Sequence, residues 1–233
     1  MDPSIALKVF EFIVLLFALS CHEAAHAWTA SRLGDPTARM LGRVTLNPAK
    51  HIDPFGTLLL PLITLFVPGF GGILFGWAKP TPVTGRNFRH YKRDDTLVTL
   101  AGPASNLLLA ILSLVVLLLI EHFVPVGRAC VTAVASGGLS DQLMSAAPVV
   151  LPIVMIFFFG ITLNLVLAVF NLMPFPPLDG SHLVRHMLSG KLASMYDTMG
   201  YFGFFLAILI GGRLTWFIVA PMLRFFEVLL LRS

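Results

Sequence analysis

The chain alternates long apolar stretches with short polar ones, a pattern that predicts several helices crossing a membrane. Four long windows contain no charged side chain, at 54–78, 96–120, 142–178 and 198–212. A helix that spans the hydrocarbon core needs about 20 mainly apolar residues. We therefore predict helices near 5–30, 97–121, 149–173, 197–212 and 214–231.

The window 54–78 differs from the others because proline and glycine interrupt it at Pro61 and in the run Pro-Gly-Phe-Gly-Gly at 68–72. Basic residues lie on both of its sides, at Arg32, Arg39, Arg43, Lys50, Lys79, Arg86, Arg89, Lys92 and Arg93. Positively charged loops favour the cytoplasmic side, so a full crossing would put one of these loops on the wrong side. We expect a re-entrant hairpin, covered by protein or by a water-filled cavity. A sixth full crossing is the alternative.

Composition narrows the class of protein. Hydrophobic residues form 57% of the chain, charged residues only 12%, and the mean hydropathy is +0.86. These values indicate an all-α polytopic membrane protein with about five to six transmembrane helices. The net charge of +4 comes from basic residues in short loops, so we expect the lipid bilayer, and no nucleic acid, as a partner. The first residues lack the features of a cleaved signal, and we expect the first helix to be retained.

Two histidines and a glutamate stand near the end of the first predicted helix, in Cys-His-Glu-Ala-Ala-His at 21–26. His22 and His26 are four residues apart, so both imidazoles project from one helix face and can bind the same ion. Glu23 lies roughly 100° around the helix from His22, where it can reach a water beside that ion. This spacing predicts a zinc-peptidase centre. A hydrogen-bonded histidine pair inside a helix bundle is the alternative.

Catalytic zinc usually has three protein ligands, so a third must come from elsewhere in the chain. Asp179 directly follows a long apolar run and three helix-breaking prolines, in Asn-Leu-Met-Pro-Phe-Pro-Pro-Leu-Asp-Gly at 171–180. The prolines end the helix and Gly180 lets the backbone turn, so the carboxylate can point back into the bundle. Taken alone, Leu-Asp-Gly is also typical of an ordinary turn.

Together these motifs resemble those of the site-2 protease family of intramembrane zinc metalloproteases. The resemblance rests on the motifs at 22–26, 76–83, 102–106 and 171–180, and it extends over about residues 18–184. It implies that His22, His26 and Asp179 bind one zinc ion per chain and that Glu23 is the general base. It also implies a compact member of the family, without a peptide-binding or nucleotide-binding accessory domain.

The position of these residues along the chain offers an independent check. The histidines lie near the end of the first helix and Asp179 ends the span at 149–173. For both to lie on one side of the membrane, an even number of crossings must separate them. Three apolar windows intervene, so one of them must not cross. The flanking charges had already singled out 54–78.

The resemblance implies an endopeptidase that hydrolyses peptide bonds in or near transmembrane segments, as in regulated intramembrane proteolysis. Glu23 would take a proton from a zinc-activated water and pass it to the leaving amine. Asn171 and Asn106 are candidates for binding the oxyanion or an extended substrate. For each of them an interhelical hydrogen bond is the alternative. The run at 68–72 could present an edge to an unwound substrate.

The same resemblance implies a single membrane-embedded domain over 1–233, with a catalytic core at about 5–184 and C-terminal helices at about 194–231. We expect it in the plasma or inner membrane, with its active site toward the cytoplasm. The expected partners are transmembrane proteins or peptides as substrates. A homo-oligomer or a regulatory membrane partner stays open.

Other polar residues are better explained by local structure. His182 and His186 form a second pair four residues apart, but leucine follows the first, so we expect a loop or an interfacial helix rather than a second metal site. His51 and Asp53 lie in a turn, and Asn164 is expected to bond a neighbouring helix. Two rival functions remain open, a divalent-metal carrier and an inactive scaffold of the same fold. A carrier should show ligands on repeated halves, and a scaffold should lack Glu23 or a ligand.

Overall fold

A computed structural model describes residues 3–67 and 76–232 of the chain, which form helices joined by irregular segments. The longer helices in these ranges are α1 (Pro3–Arg32), α4 (Tyr91–Phe123), α5 (Gly127–Ser136), α7 (Val150–Asn171) and α11 (Gly212–Arg232). The shorter ones are α2 (Thr37–Met40), α3 (Leu60–Phe66), α6 (Asp141–Ala146), α8 (Gly180–Met187), α9 (Gly190–Asp197) and α10 (Gly200–Leu206). Pro54–Leu59 and Ala207–Gly211 are π-helical, and Pro48–Lys50 and Gly85–Asn87 are 3₁₀ turns.

Helices α1, α4 and α7 pack against one another and form the centre of the bundle. Small residues lie where these helices meet, including Ala18 and Ala110, which are fully buried. A Cβ atom on Gly160 would lie 2.7 Å from Ser113 Oγ, so α4 and α7 are in close contact there. Small residues allow such backbone approaches in membranes. The three helices that carry the predicted chemistry are therefore held closely together.

Most of the buried hydrophobic core lies away from the predicted site, where α5 and α11 pack against α7. Its fully or almost fully buried members include Leu117, Val131, Val154, Leu165 and Val219. The sequence did not predict α5, because ten residues of mixed polarity are too short to be recognised as a span. Gly137 follows α5 with a φ of 71°, a conformation that favours glycine.

Within residues 3–67 and 76–232, three helical segments are long and apolar enough to cross a membrane, Tyr91–Phe123, Val150–Asn171 and Ala207–Leu231. Many of their large apolar side chains face outward, among them Leu108, Leu112 and Phe217, as expected for contact with lipid. The predicted all-helical class is thus confirmed for the described part of the chain, and the outward apolar side chains agree with a membrane setting. The number of five to six spans stays a prediction.

The end of the chain differs from the prediction. Two separate helices were expected at 197–212 and 214–231, but the structure has one uninterrupted helical run from Gly200 to Arg232. The boundary was expected because the charge-free window 198–212 ends before Arg213. Glycine in a helix interior costs only about 1 kcal/mol relative to alanine, and here a π-helical turn ends at Gly211 and α11 continues directly from Gly212.

Candidate metal centre

Two donor atoms on α1 and one from the turn that follows α7 lie close together in the structure. The Nε2 atoms of His22 and His26 lie 3.0 Å apart. Oδ2 of Asp179 lies 3.1 Å from Nε2 of His22 and 3.4 Å from Nε2 of His26. Donors at about 2.0–2.1 Å from a tetrahedral zinc ion are separated by about 3.3 Å. The spacing of these three donors therefore fits one zinc ion.

The Nδ1 atoms of both imidazoles are held by hydrogen bonds on the side of each ring that faces away from the three converging donor atoms. Nδ1 of His26 donates to the backbone oxygen of Val98 at 2.7 Å, and that oxygen can only accept. Nδ1 of His22 contacts Oδ1 of Asn106 at 2.5 Å. With the ring protons on Nδ1, both Nε2 atoms carry free lone pairs, which is the form that binds a metal. The chemistry of the donor set thus agrees with its spacing.

Asp179 reaches the histidines because α7 ends at Asn171 and the proline-rich turn brings the chain back. Asp179 immediately precedes α8. A Cβ atom on Gly180 would lie 2.1 Å from the carbonyl oxygen of Leu172. Glycine is therefore required at 180 for a close backbone approach, which is the physical basis of the turn that the sequence predicted.

Gly102 is the point at which α4 passes over the two histidines. A Cβ atom there would lie 2.3 Å from Nε2 of His26 and 2.5 Å from Nε2 of His22. The glycine of the 102–106 motif thus leaves space for the donor atoms, a role that the motif alone did not reveal.

We expect Gly102→Ala to weaken zinc binding at least 10-fold and to destabilise the fold by about 1–3 kcal/mol, because the added methyl group overpacks the site. Zinc content after dialysis and thermal unfolding would measure the two effects. Gly212→Ala is the matched control, since its Cβ atom would meet nothing within 4 Å. Full zinc content in Gly102→Ala would show that α4 can move away from the histidines.

Glu23 is held by an extended segment that follows the 54–78 window. Its Oε2 accepts a hydrogen bond from the backbone N–H of Thr81 at 2.7 Å, and the Thr81 hydroxyl donates to the Glu23 carbonyl oxygen at 3.0 Å. Pro80 and Pro82 have no N–H and favour an extended backbone, so Thr81 supplies the one amide donor of this tripeptide. The role of Thr81 was not predicted from the sequence, although the prolines on both sides of Thr81 were a signal.

Asp35 fixes the same extended segment to the loop after α1. Its buried carboxylate accepts hydrogen bonds from the N–H of Thr84 at 2.7 Å, from Nδ2 of Asn87 at 2.8 Å and from both the N–H and the hydroxyl of Thr37. Burial raises the pKa of this carboxyl, but the hydrogen bonds outweigh burial and hold the pKa below its usual value. Asp35 therefore helps to keep Thr81 beside Glu23.

A cavity of about 800 Å³ opens onto these groups. His22, Glu23, His26 and Asp179 line it together with apolar side chains such as those of Leu167 and Phe170.

Asn171 also lines this cavity. Its Nδ2 donates to the carbonyl oxygen of Leu167 at 2.9 Å, which uses one of its two amide hydrogens. Among the residues that the structure describes, the other hydrogen has no partner.

Asn106 does not line the cavity but lies fully buried behind His22. Its Nδ2 donates to Oδ1 of Asn164 at 2.8 Å and, at 3.4 Å, to the carbonyl oxygen of Ala18. The interhelical hydrogen bond that the sequence analysis kept as an alternative is therefore present. An oxyanion role of Asn106 stays a prediction, and these contacts favour support of His22 instead.

His182 and His186 bind the same carboxylate on α4. Oδ2 of Asp95 lies 3.4 Å from Nδ1 of His182 and 2.7 Å from Nε2 of His186. The hydrogen bond with Asp95 raises the pKa of His182, more than burial lowers it. These contacts hold α8 against α4. At the turn before α3, Asp53 caps the helix by accepting from the N–H groups of Phe55 and Gly56, as the turn chemistry predicted.

A helical membrane protein with a His-Glu-x-x-His helix and a convergent aspartate has the architecture of a zinc metalloprotease. The model of "Peptidase family M50" matches residues 10–210, and the chain belongs to this family, the site-2 protease family. The resemblance stated from the motifs is thereby confirmed.

Individual relatives agree with the family. The chain is 36% identical over 221 residues to "Putative zinc metalloprotease YwhC" of Bacillus subtilis (strain 168), which covers 94% of this chain and 88% of the relative. It is 33% identical over 165 residues to "Putative zinc metalloprotease Rip2" of Mycobacterium tuberculosis (strain H37Rv), covering 71% of this chain and 52% of the relative. No solved structure matches the chain.

Proposed function

We propose that this protein is an intramembrane zinc endopeptidase that hydrolyses peptide bonds in or near the transmembrane segments of membrane proteins. The observation that carries the proposal is the convergence of His22, His26 and Asp179 beside Glu23 in one cavity of a helical membrane protein. These three residues would hold one zinc ion per chain, and that ion would supply an activated water and polarise the scissile carbonyl.

Glu23 is the group we assign to proton transfer. The Thr81 N–H binds Oε2 of Glu23, and we assign the transferred proton to the other oxygen, Oε1. From there the carboxyl group would take the proton of the attacking water and deliver it to the leaving amine. Thr81 would keep the carboxylate oriented during both transfers.

Asn171 is the candidate donor to the oxyanion, since it lines the cavity and keeps one amide hydrogen free of its bond to Leu167. The apolar side chains around it suit an unwound stretch of a transmembrane segment. A helical substrate hides its carbonyls in its own hydrogen bonds, so unwinding must precede cleavage.

The membrane arrangement that we propose has five to six spans, with residues 54–78 as a re-entrant hairpin. Two backbone hydrogen bonds support it, from Trp77 N–H to the Gly56 carbonyl at 3.1 Å and from Lys79 N–H to the His51 carbonyl at 2.8 Å. They bring the two ends of the window together. The run at 68–72, which we suggested as a substrate edge, lies outside the described residues.

The basic loops on both sides of the hairpin favour an active site toward the cytoplasm of the plasma or inner membrane. We propose a single membrane-embedded domain over 1–233 with its core at about 5–184. Its substrates would be transmembrane proteins or peptides, and a homo-oligomer or regulatory membrane partner would add selectivity.

Removal of zinc tests the proposed function. We expect the protein in liposomes to cleave single-span test substrates within the span, to lose this activity with 1,10-phenanthroline and to regain it when zinc is restored, because the water and the carbonyl both need the ion. Mass spectrometry of the products would locate the cut. Stoichiometric zinc without cleavage of any test substrate, together with zinc uptake into dye-loaded vesicles, would favour a carrier instead.

A further inference from the structure

His22 is supported by a chain of amide groups that runs through two other helices. Nδ1 of His22 contacts Oδ1 of Asn106 on α4 at 2.5 Å, and Nδ2 of Asn106 donates to Oδ1 of Asn164 on α7 at 2.8 Å. Nδ2 of Asn164 then donates to the backbone oxygen of Gly160 at 2.8 Å. This hydrogen-bond series therefore starts at a metal-binding residue and ends at a backbone carbonyl.

The backbone carbonyl at the end of this hydrogen-bond series determines which way each amide group points. The Gly160 carbonyl can only accept a hydrogen bond, so Asn164 must turn its NH₂ group toward it and its oxygen toward α4. Asn106 must then turn its NH₂ group to Asn164 and its oxygen to His22. An oxygen beside Nδ1 requires the proton of the neutral imidazole on Nδ1, which leaves Nε2 free.

We propose that Asn164 is a positioning residue for the metal centre, which orients the Asn106 amide and thereby fixes the tautomer and ring angle of His22. The proposal rests on the proposed function, because it concerns the metal-binding form of His22. It assigns Asn164 a role beyond helix packing, and it makes α7 contribute to the metal site at two points, through Asn164 and through the turn that carries Asp179.

Burial explains why this orientation is maintained. Asn106 is 0% exposed and Asn164 is 3% exposed, so water has little access to replace a lost hydrogen bond. A flipped Asn106 amide would present its NH₂ group to Nδ1 of His22. That arrangement favours the tautomer with the proton on Nε2, which cannot bind a metal ion through Nε2.

The second histidine does not need such a chain. Nδ1 of His26 donates directly to the backbone oxygen of Val98, whose direction is fixed by α4. His22 instead faces a side-chain amide, which can rotate by 180° unless another group holds it. Asn164 supplies the shorter of the two contacts that hold the Asn106 NH₂ group, at 2.8 Å, and the Ala18 carbonyl supplies a longer one at 3.4 Å. The different supports of the two histidines predict different sensitivities to distant substitutions.

The test is the zinc affinity of purified full-length protein, measured by competition with a chromophoric chelator. We expect Asn106→Leu to weaken zinc binding by about 10–100-fold, as is usual for groups that orient metal ligands, and Asn164→Leu by about 10-fold. In the double variant we expect the affinity of Asn106→Leu alone, because Asn164 acts only through Asn106. Asn164→Asp should restore affinity, since a neutral buried carboxyl group can accept from Asn106 and donate to Gly160.

Controls separate positioning from stability. Thr162→Val removes a hydroxyl group on the same helix whose partner among the described residues is the Phe158 carbonyl, and it should leave zinc affinity unchanged. Asn164→Ala is measured beside Asn164→Leu, so that poor folding of one variant does not decide the result. Thermal unfolding of the metal-free proteins reports the structural contribution of each residue.

Wild-type zinc affinity in Asn164→Leu, or additive effects in the double variant, would overturn the proposal while leaving the metal site intact. Reduced cleavage with unchanged zinc affinity in Asn106→Leu would also overturn it and would favour Asn106 as an oxyanion donor. A failure of the proposed function looks different, because the wild-type protein itself would then not bind zinc.

Discussion

Glu23→Gln is expected to lower the rate of peptide cleavage by about 10²–10⁴-fold, the contribution typical of a general base, while zinc binding stays at the wild-type level. Glutamine has nearly the same shape as glutamate, and its side-chain oxygen can still accept the hydrogen bond from the Thr81 N–H. It cannot take up a proton at neutral pH. The variant therefore separates proton transfer from folding and metal binding.

The measurement pairs single-turnover cleavage in liposomes with zinc content of the same preparation. Glu11→Gln is the matched control, because Glu11 is the other glutamate of α1 and lies outside the cavity lining. It should cleave at the wild-type rate. Unchanged cleavage in Glu23→Gln would contradict the assignment of Glu23 as the general base. If the protein is a carrier or an inactive scaffold, neither substitution should change its behaviour.

The first half of the site could be predicted because its information is local. His22, Glu23 and His26 share one helix, and helical periodicity alone places both imidazoles on one face. Asp179 lies 157 residues from His22. It was proposed from the need for a third ligand and from the prolines that follow α7, and the family resemblance then implied the same residue. The count of membrane crossings was an independent check on it.

The supporting groups could not be predicted in the same way. Gly102 leaves space for donor atoms on another helix, and Asn164 orients Asn106 across a helix interface. Both roles depend on how α1, α4 and α7 are rotated against one another, which no single segment encodes. Thr81 binds the Glu23 carboxylate through its backbone N–H, a contact that its side-chain type does not reveal.

The predicted fold was incomplete where it depends on packing between helices. Apolar windows identify segments that lipid can surround, and the predictions for α1, α4 and α7 were close to the observed bounds. They say less about short helices such as α5, whose burial comes from packing against α7 rather than from their own hydrophobicity. The arrangement of the 54–78 window depends likewise on contacts at its ends, such as the one between Trp77 and Gly56.

Asp179→Ala is expected to reduce zinc affinity at least about 100-fold, because the variant removes the one anionic donor of the three and leaves two imidazoles on a single helix. Zinc content of about one ion per chain in the wild type should fall well below that after dialysis of the variant. Elemental analysis of both proteins in detergent would measure the difference, and loss of cleavage should accompany it.

Asp95→Asn is the matched control for this experiment. Asp95 also lines the cavity, but its carboxylate contacts His182 and His186 rather than the converging donors, so zinc content should stay at the wild-type level. Stoichiometric zinc in Asp179→Ala would mean that another residue is the third ligand. The carboxylates of Asp179 and Asp95 line the same cavity. If zinc is lost only when Asp179 is removed, negative charge in the cavity does not explain zinc binding. The site would then be assigned to the donors of α1 and of the turn after α7.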